Sequence, residues 1–327
     1  MAMVTLSPRL RGYEYKLMAP TAFLFPGQGS QYAGMGKSLA HQYQQANMVF
    51  EEADDALGFS LSSICFEGPE DELKRTENTQ PALLTVSTAA YRVLESLGYR
   101  PGIVAGHSLG EYSALVAAGS LRFRDALRLV KNRGRYMQEA VPQGVGAMAA
   151  LLKLPAGKLD SVLSDAAQGE VVTAANLNSP DQVVIAGHAK AVERAMELAK
   201  AAGAKRAILL PVSAPFHCPL MQPAQTKLRL DLEDTAFSNL DFPLINNWRA
   251  QEITTGEAAR EGLYQQVPNP VLWTATVLEL AARSITQVLE VGAGSVLLGL
   301  CRQIHPGFQG AKFGEPNDLA GVERLFT

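Results

Sequence analysis

An α/β fold built on a parallel sheet, with a smaller βαββαβ unit inserted into it, is what this sequence predicts, and three observations predict it. Short apolar runs alternate with amphipathic stretches through most of the chain, the pattern of strands joined by crossover helices. The runs Thr21–Phe25, Ile103–Ala105 and Gln287–Val291 are each followed closely by glycine, as buried strands entering tight turns are. The middle of the chain reads without interruption as β-α-β-β-α-β. With 327 residues, 47% of them hydrophobic, the chain can bury one large core or two smaller ones.

Taken in order, Thr21–Phe25 is the first strand of the larger sheet, and Gln80–Leu97 carries a long helical pattern. Ile103–Ala105 is the next strand, followed by helices over Glu111–Ala118 and Phe123–Gln138. The inserted unit then runs as strand Val145–Lys153, helix Ala156–Ala167 and strand Val171–Ala175. After a turn at Asn178-Ser179-Pro180 come strand Gln182–Ala186, helix Ala189–Ala202 and strand Arg206–Pro211. That order is ferredoxin-like. It places a subdomain of about 70 residues, 144–212, inside a discontinuous catalytic domain made of 1–143 and 213–327.

The net charge of −3 supplies no positive field to gather phosphates, so nucleic-acid binding is not expected. Three cysteines, Cys65, Cys218 and Cys301, fit neither a disulfide framework nor a zinc site, so no metal is expected. The first twenty residues carry Arg9, Arg11, Glu14 and Lys16 and lack the apolar run of a signal peptide. No later stretch reaches the ~18 uncharged apolar residues that a membrane span needs. A soluble, monomeric, cytoplasmic protein is expected, with Met18 as a natural start.

The chemistry starts at Gly106-His107-Ser108-Leu109-Gly110, which lies between a strand and a helix. A G-x-S-x-G elbow forces its serine into a strained backbone, and small neighbours are needed because strand and helix come close. The hydroxyl then sits at a helix N-terminus, where free N–H groups stabilise an oxyanion. This makes Ser108 a candidate nucleophile and the fold α/β-hydrolase-like; the bland alternative is a serine that caps the helix. Among five histidines, His41, His188 and His305 read as solvated, while His107 points away around the turn and lines the pocket. His217 stands in the rigid loop Pro211–Pro219 where the two domains rejoin, and pockets form at such junctions.

At ~100° per residue, the helix over Phe123–Gln138 puts Arg124, Arg128, Lys131 and Arg135 on one face. Arg133 falls on the opposite, apolar face among Ala126, Leu129, Val130 and Met137. A buried arginine needs a carboxylate, either from the same protein or from a substrate. The four-cation stripe is a solvated face or a docking surface for an acidic partner. Two glycine pairs, Gly27-x-Gly29 and Gly292-x-Gly294, fail the dinucleotide pattern at Tyr32 and Leu297, so no NAD or FAD is expected. Gly27 and Gly29 instead read as a close approach of backbone to a substrate oxygen.

The ordered segments Phe25–Gln31, Gly106–Tyr112, Asn132–Gly134 with Met137-Gln138, Asn176–Pro180 and Ser213–Cys218 carry a family resemblance, continued by Gln266, Asn269–Val271, Trp273 and Glu290–Gly294. Together they make the chain similar to the malonyl-CoA:acyl carrier protein transacylases of bacterial fatty-acid synthesis. The resemblance spans about residues 21 to 300 and departs where Val267-Pro268 follow the glutamine, a place where the family more often has leucine and no proline. It implies Ser108 as nucleophile, His217 as general base, and the N–H groups of Gln28 and Leu109 as the oxyanion hole. It further implies that Arg133 clamps the malonyl carboxylate and that the backbone carbonyl of Gln266 orients the base. His107, Asn176, Asn178 and Phe216 are then expected around the substrate. Malonyl-CoA and an acyl carrier protein are the implied partners, with no cofactor beyond the pantetheine arms. A polyketide acyltransferase and a serine thioesterase are the alternative readings of the same motifs.

Overall fold

The computed structural model describes residues 20–212 and 214–327. The charged N-terminal stretch, the start at Met18 and the side of the domain boundary at Ser213 lie outside the described residues. In chain order the strands are β1 (Thr21–Phe25), β2 (Ile103–Gly106), β3 (Gly146–Leu152), β4 (Val172–Ser179) and β5 (Gln182–His188). They continue with β6 (Arg206–Leu209), β7 (Leu244–Ile245), β8 (Glu252–Ile253), β9 (Gln287–Val291) and β10 (Gln309–Phe313).

The larger sheet runs β10-β9-β1-β2-β7-β8, and every pair is parallel except the edge pair β7–β8. Its inner strand β1 is buried at all five positions, as a parallel strand covered on both faces must be. Phe23 and Phe25 enter one core with the helices Thr76–Ser96 and Phe123–Glu139, and Ala22 and Leu24 enter another with the helices Trp273–Ala282 and Val296–Ile304. The smaller sheet runs β4-β5-β3-β6 and is antiparallel throughout, the ferredoxin-like order. One face packs Ala149, Leu151 and Ile185 against the helices Leu159–Ala167 and Ala189–Ala201. The other face offers Met148, Ala150, Val184 and Ala186 to Cys218 and Phe216, so the small sheet leans on the loop that carries His217.

Three expectations are corrected. The turn expected at Asn178-Ser179-Pro180 starts later, because β4 continues through Ser179 with register shifts against β5. Val271 pairs with this part of β4 from the other sheet's connection: its N–H reaches the Ala175 carbonyl at 2.9 Å, and its own carbonyl accepts from Leu177 N–H at 3.0 Å. The first long helix begins at Thr76, a turn before Gln80, with Pro81 inside it. Proline removes one helix bond there, but complete burial of Thr79, Ala82 and Leu83 holds the turn in place. Finally, the helix expected from Ala156 starts at Leu159.

Candidate active site

The elbow is built by close packing. Gly106 ends β2, and a Cβ added there would stand 2.0 Å from the Gly110 carbonyl carbon; one added at Gly110 would stand 2.0 Å from the Phe25 oxygen. Only glycine lets strand and helix approach so far. Between them Ser108 takes φ +52°, a left-handed conformation that a non-glycine residue holds only under tertiary constraint. His217 takes φ +57° in the turn between Pro215 and Pro219, which is closed by a 3.0 Å contact from Cys218 Sγ to the Pro215 carbonyl. The two strained residues face each other, with Ser108 Oγ 2.7 Å from His217 Nε2.

His217 Nδ1 lies 2.9 Å from the Gln266 carbonyl oxygen, which can only accept, so Nδ1 carries the proton and the Nε2 lone pair faces the serine. Burial, with the Arg133 cation as a second cause, pushes the imidazole down to about 3, which keeps it neutral and able to take a proton. Gln28 and Leu109 line the cavity, and their backbone N–H groups have no hydrogen-bond partner among the described residues. They are donors left available to a ligand.

Arg133 is 2% exposed and has no carboxylate within ion-pair reach among the described residues. Its Nη1 donates to Gln80 Oε1 at 2.7 Å, and its Nη2 donates to Gln266 Oε1 at 2.9 Å and to Ser108 Oγ at 3.1 Å. Burial lowers its pKa, yet an arginine at this distance from neutrality stays charged. The site therefore holds a buried cation beside the Ser108 hydroxyl, positioned by neutral amides.

The cavity around these groups measures ≈120 Å³ and is lined by Gln28, Gln80, His107, Ser108, Leu109, Arg133 and Met137 from the larger sheet's side. Met148, Asn176, Leu210, Val212, Phe216 and His217 close it from the other side. Asn178 is the exception among the expected lining residues: its Oδ1 meets His107 Nε2 at 2.8 Å behind the wall. His107 also packs at 5.5 Å against the Trp273 ring, and burial lowers its pKa. Gly27 serves the fold rather than a substrate oxygen, since a Cβ there would stand 2.3 Å from the His107 carbonyl oxygen. Of the remaining histidines, His41 is exposed, while His188 accepts from Val171 N–H at 2.9 Å and His305 stacks on Phe308, so neither is simply solvated. Within the cationic stripe, Arg128 and Arg135 are exposed. Arg124 pairs with Asp55, and Lys131 sits 4.0 Å over the Phe59 ring.

Sequence reading missed Gln80, Glu111 and Asn247. Each carried a signal. Gln80 is a polar side chain at the head of an apolar helical run, Glu111 is the one charge in the helix Gly110–Ala117, and Asn247 follows the buried pair Leu244-Ile245 by two residues. All three are buried, and all three are polar groups whose partners are distant in sequence.

Among the described residues no helix is long and apolar enough to cross a membrane, and no group of three or more His, Cys, Asp or Glu is arranged to hold a metal. Residues 22–321 match the acyl transferase domain family. The chain is similar to the malonyl CoA-acyl carrier protein transacylase of Escherichia coli (strain K12), at 48% identity over 309 residues, 94% of this chain and 100% of that one. Against the enzyme of the same name from Bacillus subtilis (strain 168), identity is 46% over 92% of this chain and 96% of that one. Among solved structures, the malonyl CoA-acyl carrier protein transacylase of Coxiella burnetii superposes with a TM-score of 0.93 at 41% identity, covering 96% of this chain and 100% of that one. A malonyl-transacylase solved in complex with a type II polyketide synthase acyl carrier protein superposes with a TM-score of 0.91 at 46% identity, covering 94% and 99%.

Proposed function

The chain belongs to the acyl transferase domain family, and from that premise we propose that it moves a malonyl group from malonyl-CoA to the phosphopantetheine thiol of an acyl carrier protein, supplying extender units for fatty-acid synthesis. In the first half-reaction Ser108 Oγ attacks the thioester carbon while His217 Nε2 takes the hydroxyl proton. The N–H groups of Gln28 and Leu109 hold the oxyanion, the C–S bond breaks, and the proton passes from His217 to the departing thiolate. In the second half-reaction the carrier thiol gives its proton to His217 and attacks the malonyl ester; the C–O bond breaks and Ser108 recovers a proton from His217. Arg133 pairs with the malonyl carboxylate throughout. These steps call on no cofactor beyond the two pantetheine arms, and the reading takes the protein as a cytoplasmic monomer.

One observation carries this reading beyond acyl transfer in general: a buried guanidinium, unpaired with any carboxylate among the described residues, lies 3.1 Å from the Ser108 hydroxyl. An esterase for neutral acyl groups has no use for it, since a buried cation without an anion is costly. The test is mass spectrometry of the protein mixed with malonyl-CoA. A malonyl adduct on the peptide containing Ser108, stable in buffer and discharged by carrier protein, is expected. Rapid loss of the adduct to water would indicate a thioesterase instead. The complex of a similar malonyl-transacylase with a type II polyketide synthase acyl carrier protein supports a second reading of the acceptor; discharging the same adduct with fatty-acid and polyketide carriers in parallel decides between them.

A further inference from the structure

Among the buried ionisable groups that the malonyl reading leaves without a task, Glu111 lies nearest the elbow in sequence. Glu111, in the first turn after the elbow, is fully buried. Its Oε2 accepts from Asn247 N–H at 3.0 Å and from Gln266 Nε2 at 2.8 Å, while Oε1 has no hydrogen-bond partner among the described residues. Each of those donors continues into the site. Asn247 spans the elbow, with Oδ1 accepting from Ser108 N–H at 2.7 Å and Nδ2 donating to the Gly106 carbonyl at 2.6 Å. Gln266 Nε2 also reaches the Ser108 carbonyl at 3.0 Å, and its Oε1 accepts from Arg133 Nη2 at 2.9 Å.

We infer that Glu111 is a positioning residue of the acyl site: a single carboxylate oxygen fixes both the Gln266 side-chain amide that aims Arg133 and the backbone N–H of Asn247, whose side-chain amide in turn clamps Ser108 N–H and the Gly106 carbonyl. The inference rests on the malonyl reading. Interposing an amide between carboxylate and guanidinium has a chemical purpose. A direct Glu–Arg pair would be bidentate and would occupy the donors that a substrate carboxylate needs. The amide relay orients the cation and leaves it available. Both donors address the same oxygen, so what the relay requires is an acceptor at full reach, which a glutamine carbonyl supplies as well as a carboxylate does. Burial pushes the Glu111 carboxyl up to about 7, in keeping with a group whose hydrogen bonds matter more than its charge.

The experiment compares Glu111→Gln, which keeps the reach and removes the charge, with Glu111→Asp, which keeps the charge and withdraws the acceptor by ~1.5 Å. Steady-state kcat and KM are measured with malonyl-CoA and with acetyl-CoA, alongside thermal melting. Glu111→Gln is expected to hold the malonyl-to-acetyl ratio of kcat/KM within about threefold of the parent, and Glu111→Asp to lower it roughly tenfold, mainly through KM for malonyl-CoA. Glu111→Asn, short and neutral, should behave as the aspartate does. Equal loss in Glu111→Gln would make the charge the agent and overturn the inference. So would an unchanged ratio in both shortened variants, or the failure of both to fold, which would assign Glu111 to the fold alone. Should the parent itself show no preference for malonyl over acetyl, the malonyl reading fails first and takes the inference with it.

Discussion

The two walls of the cavity are made differently. On the larger sheet's side, Gln80 and Arg133 sit on helices while Gln28, Ser108 and Leu109 sit in the turns that leave β1 and β2, and they bring polar groups to the cavity. On the other side Met148, Leu210, Val212 and Phe216 are apolar, and His217 is the one ionisable group. The elbow's close approach is written locally, in Gly106 and Gly110 two residues either side of Ser108, and Asn247 clamps it from a distance. His217 is oriented by the Gln266 carbonyl, 49 residues away, and its partner Ser108 is 109 residues away. On the proposed reading, the difference teaches that charge stabilisation is built from the turns and helices around the larger sheet, whereas proton transfer and shape selection fall to a loop and a second sheet brought up against it.

Ser108→Ala breaks the comparison most completely. Removing the hydroxyl should abolish the acyl adduct, because neither wall holds another group that faces the cavity as a nucleophile, while far-ultraviolet circular dichroism and melting stay close to the parent. Undiminished labelling would place the nucleophile elsewhere.

His217→Ala probes the opposite wall and should slow acylation by roughly 10²–10⁴-fold, the usual worth of a positioned base. Its pH signature is sharper than its magnitude. An imidazole held at about 3 stays neutral where an ordinary histidine is protonated, so kcat/KM of the parent should show no acid limb near the ordinary value of about 6.5. The same shift acts on stability. The folded-state value is depressed, so the unfolded chain binds a proton that the folded protein refuses, and the stability present above about 6.5 is lost progressively as pH falls toward 3. Melting followed over that window in the parent and in His217→Ala should show a shallower acid slope in the variant.

Arg133→Ala returns to the polar wall. Leaving a malonyl carboxylate buried and unpaired costs roughly 3–5 kcal/mol, so malonyl transfer should fall by about 10²–10³-fold while acetyl transfer is spared or improved. Lysine should rescue only partly, since a point charge cannot serve Gln80, Gln266 and a substrate carboxylate together. Parallel losses for both substrates would show Arg133 holding the protein rather than the acyl group.

What could be read in the sequence follows the same division. The strand Thr21–Phe25 was legible to the residue because a parallel strand buried on both faces reads as a near-continuous apolar run, and Gln287–Val291 because its short run of Val, Leu and Val ends at a glycine turn. Arg133 was legible as a misfit on an apolar helix face, and its burial follows directly from that face. The extension of β4 through Asn178 was not, because the Asn-Ser-Pro segment has the chemistry of a turn, and only pairing with Val271 and β5 keeps it extended. Nor was the Glu111–Asn247–Gln266 relay, whose three members come from a helix, a strand end and another helix that no local pattern connects. Two-residue strands such as β7 and β8 offer no periodicity to detect.

The smallest expected effect concerns shape, and it tests whether the apolar wall selects at all. Phe216 borders the cavity next to the base and packs against the small sheet's inner face with Met148 and Ala150. Its ring therefore bounds the space beside the acyl group, where an α-methyl on malonyl would have to fit. A single methyl is worth only ~1–3 kcal/mol of discrimination, so the parent should prefer malonyl-CoA over methylmalonyl-CoA by roughly 5–150-fold rather than absolutely. Replacing the ring by serine opens that space while leaving Ser108, Arg133 and the oxyanion donors untouched, so the preference should shrink chiefly through improved methylmalonyl transfer. The measurement is the ratio of kcat/KM for the two thioesters in the parent and in Phe216→Ser, with the Ser108 adduct rate on malonyl-CoA as a check that the loop still presents His217. An unchanged ratio with an unchanged adduct rate would mean that Phe216 only packs the loop. Selection would then fall to Met137 and Met148, whose unbranched side chains yield more readily to an added methyl.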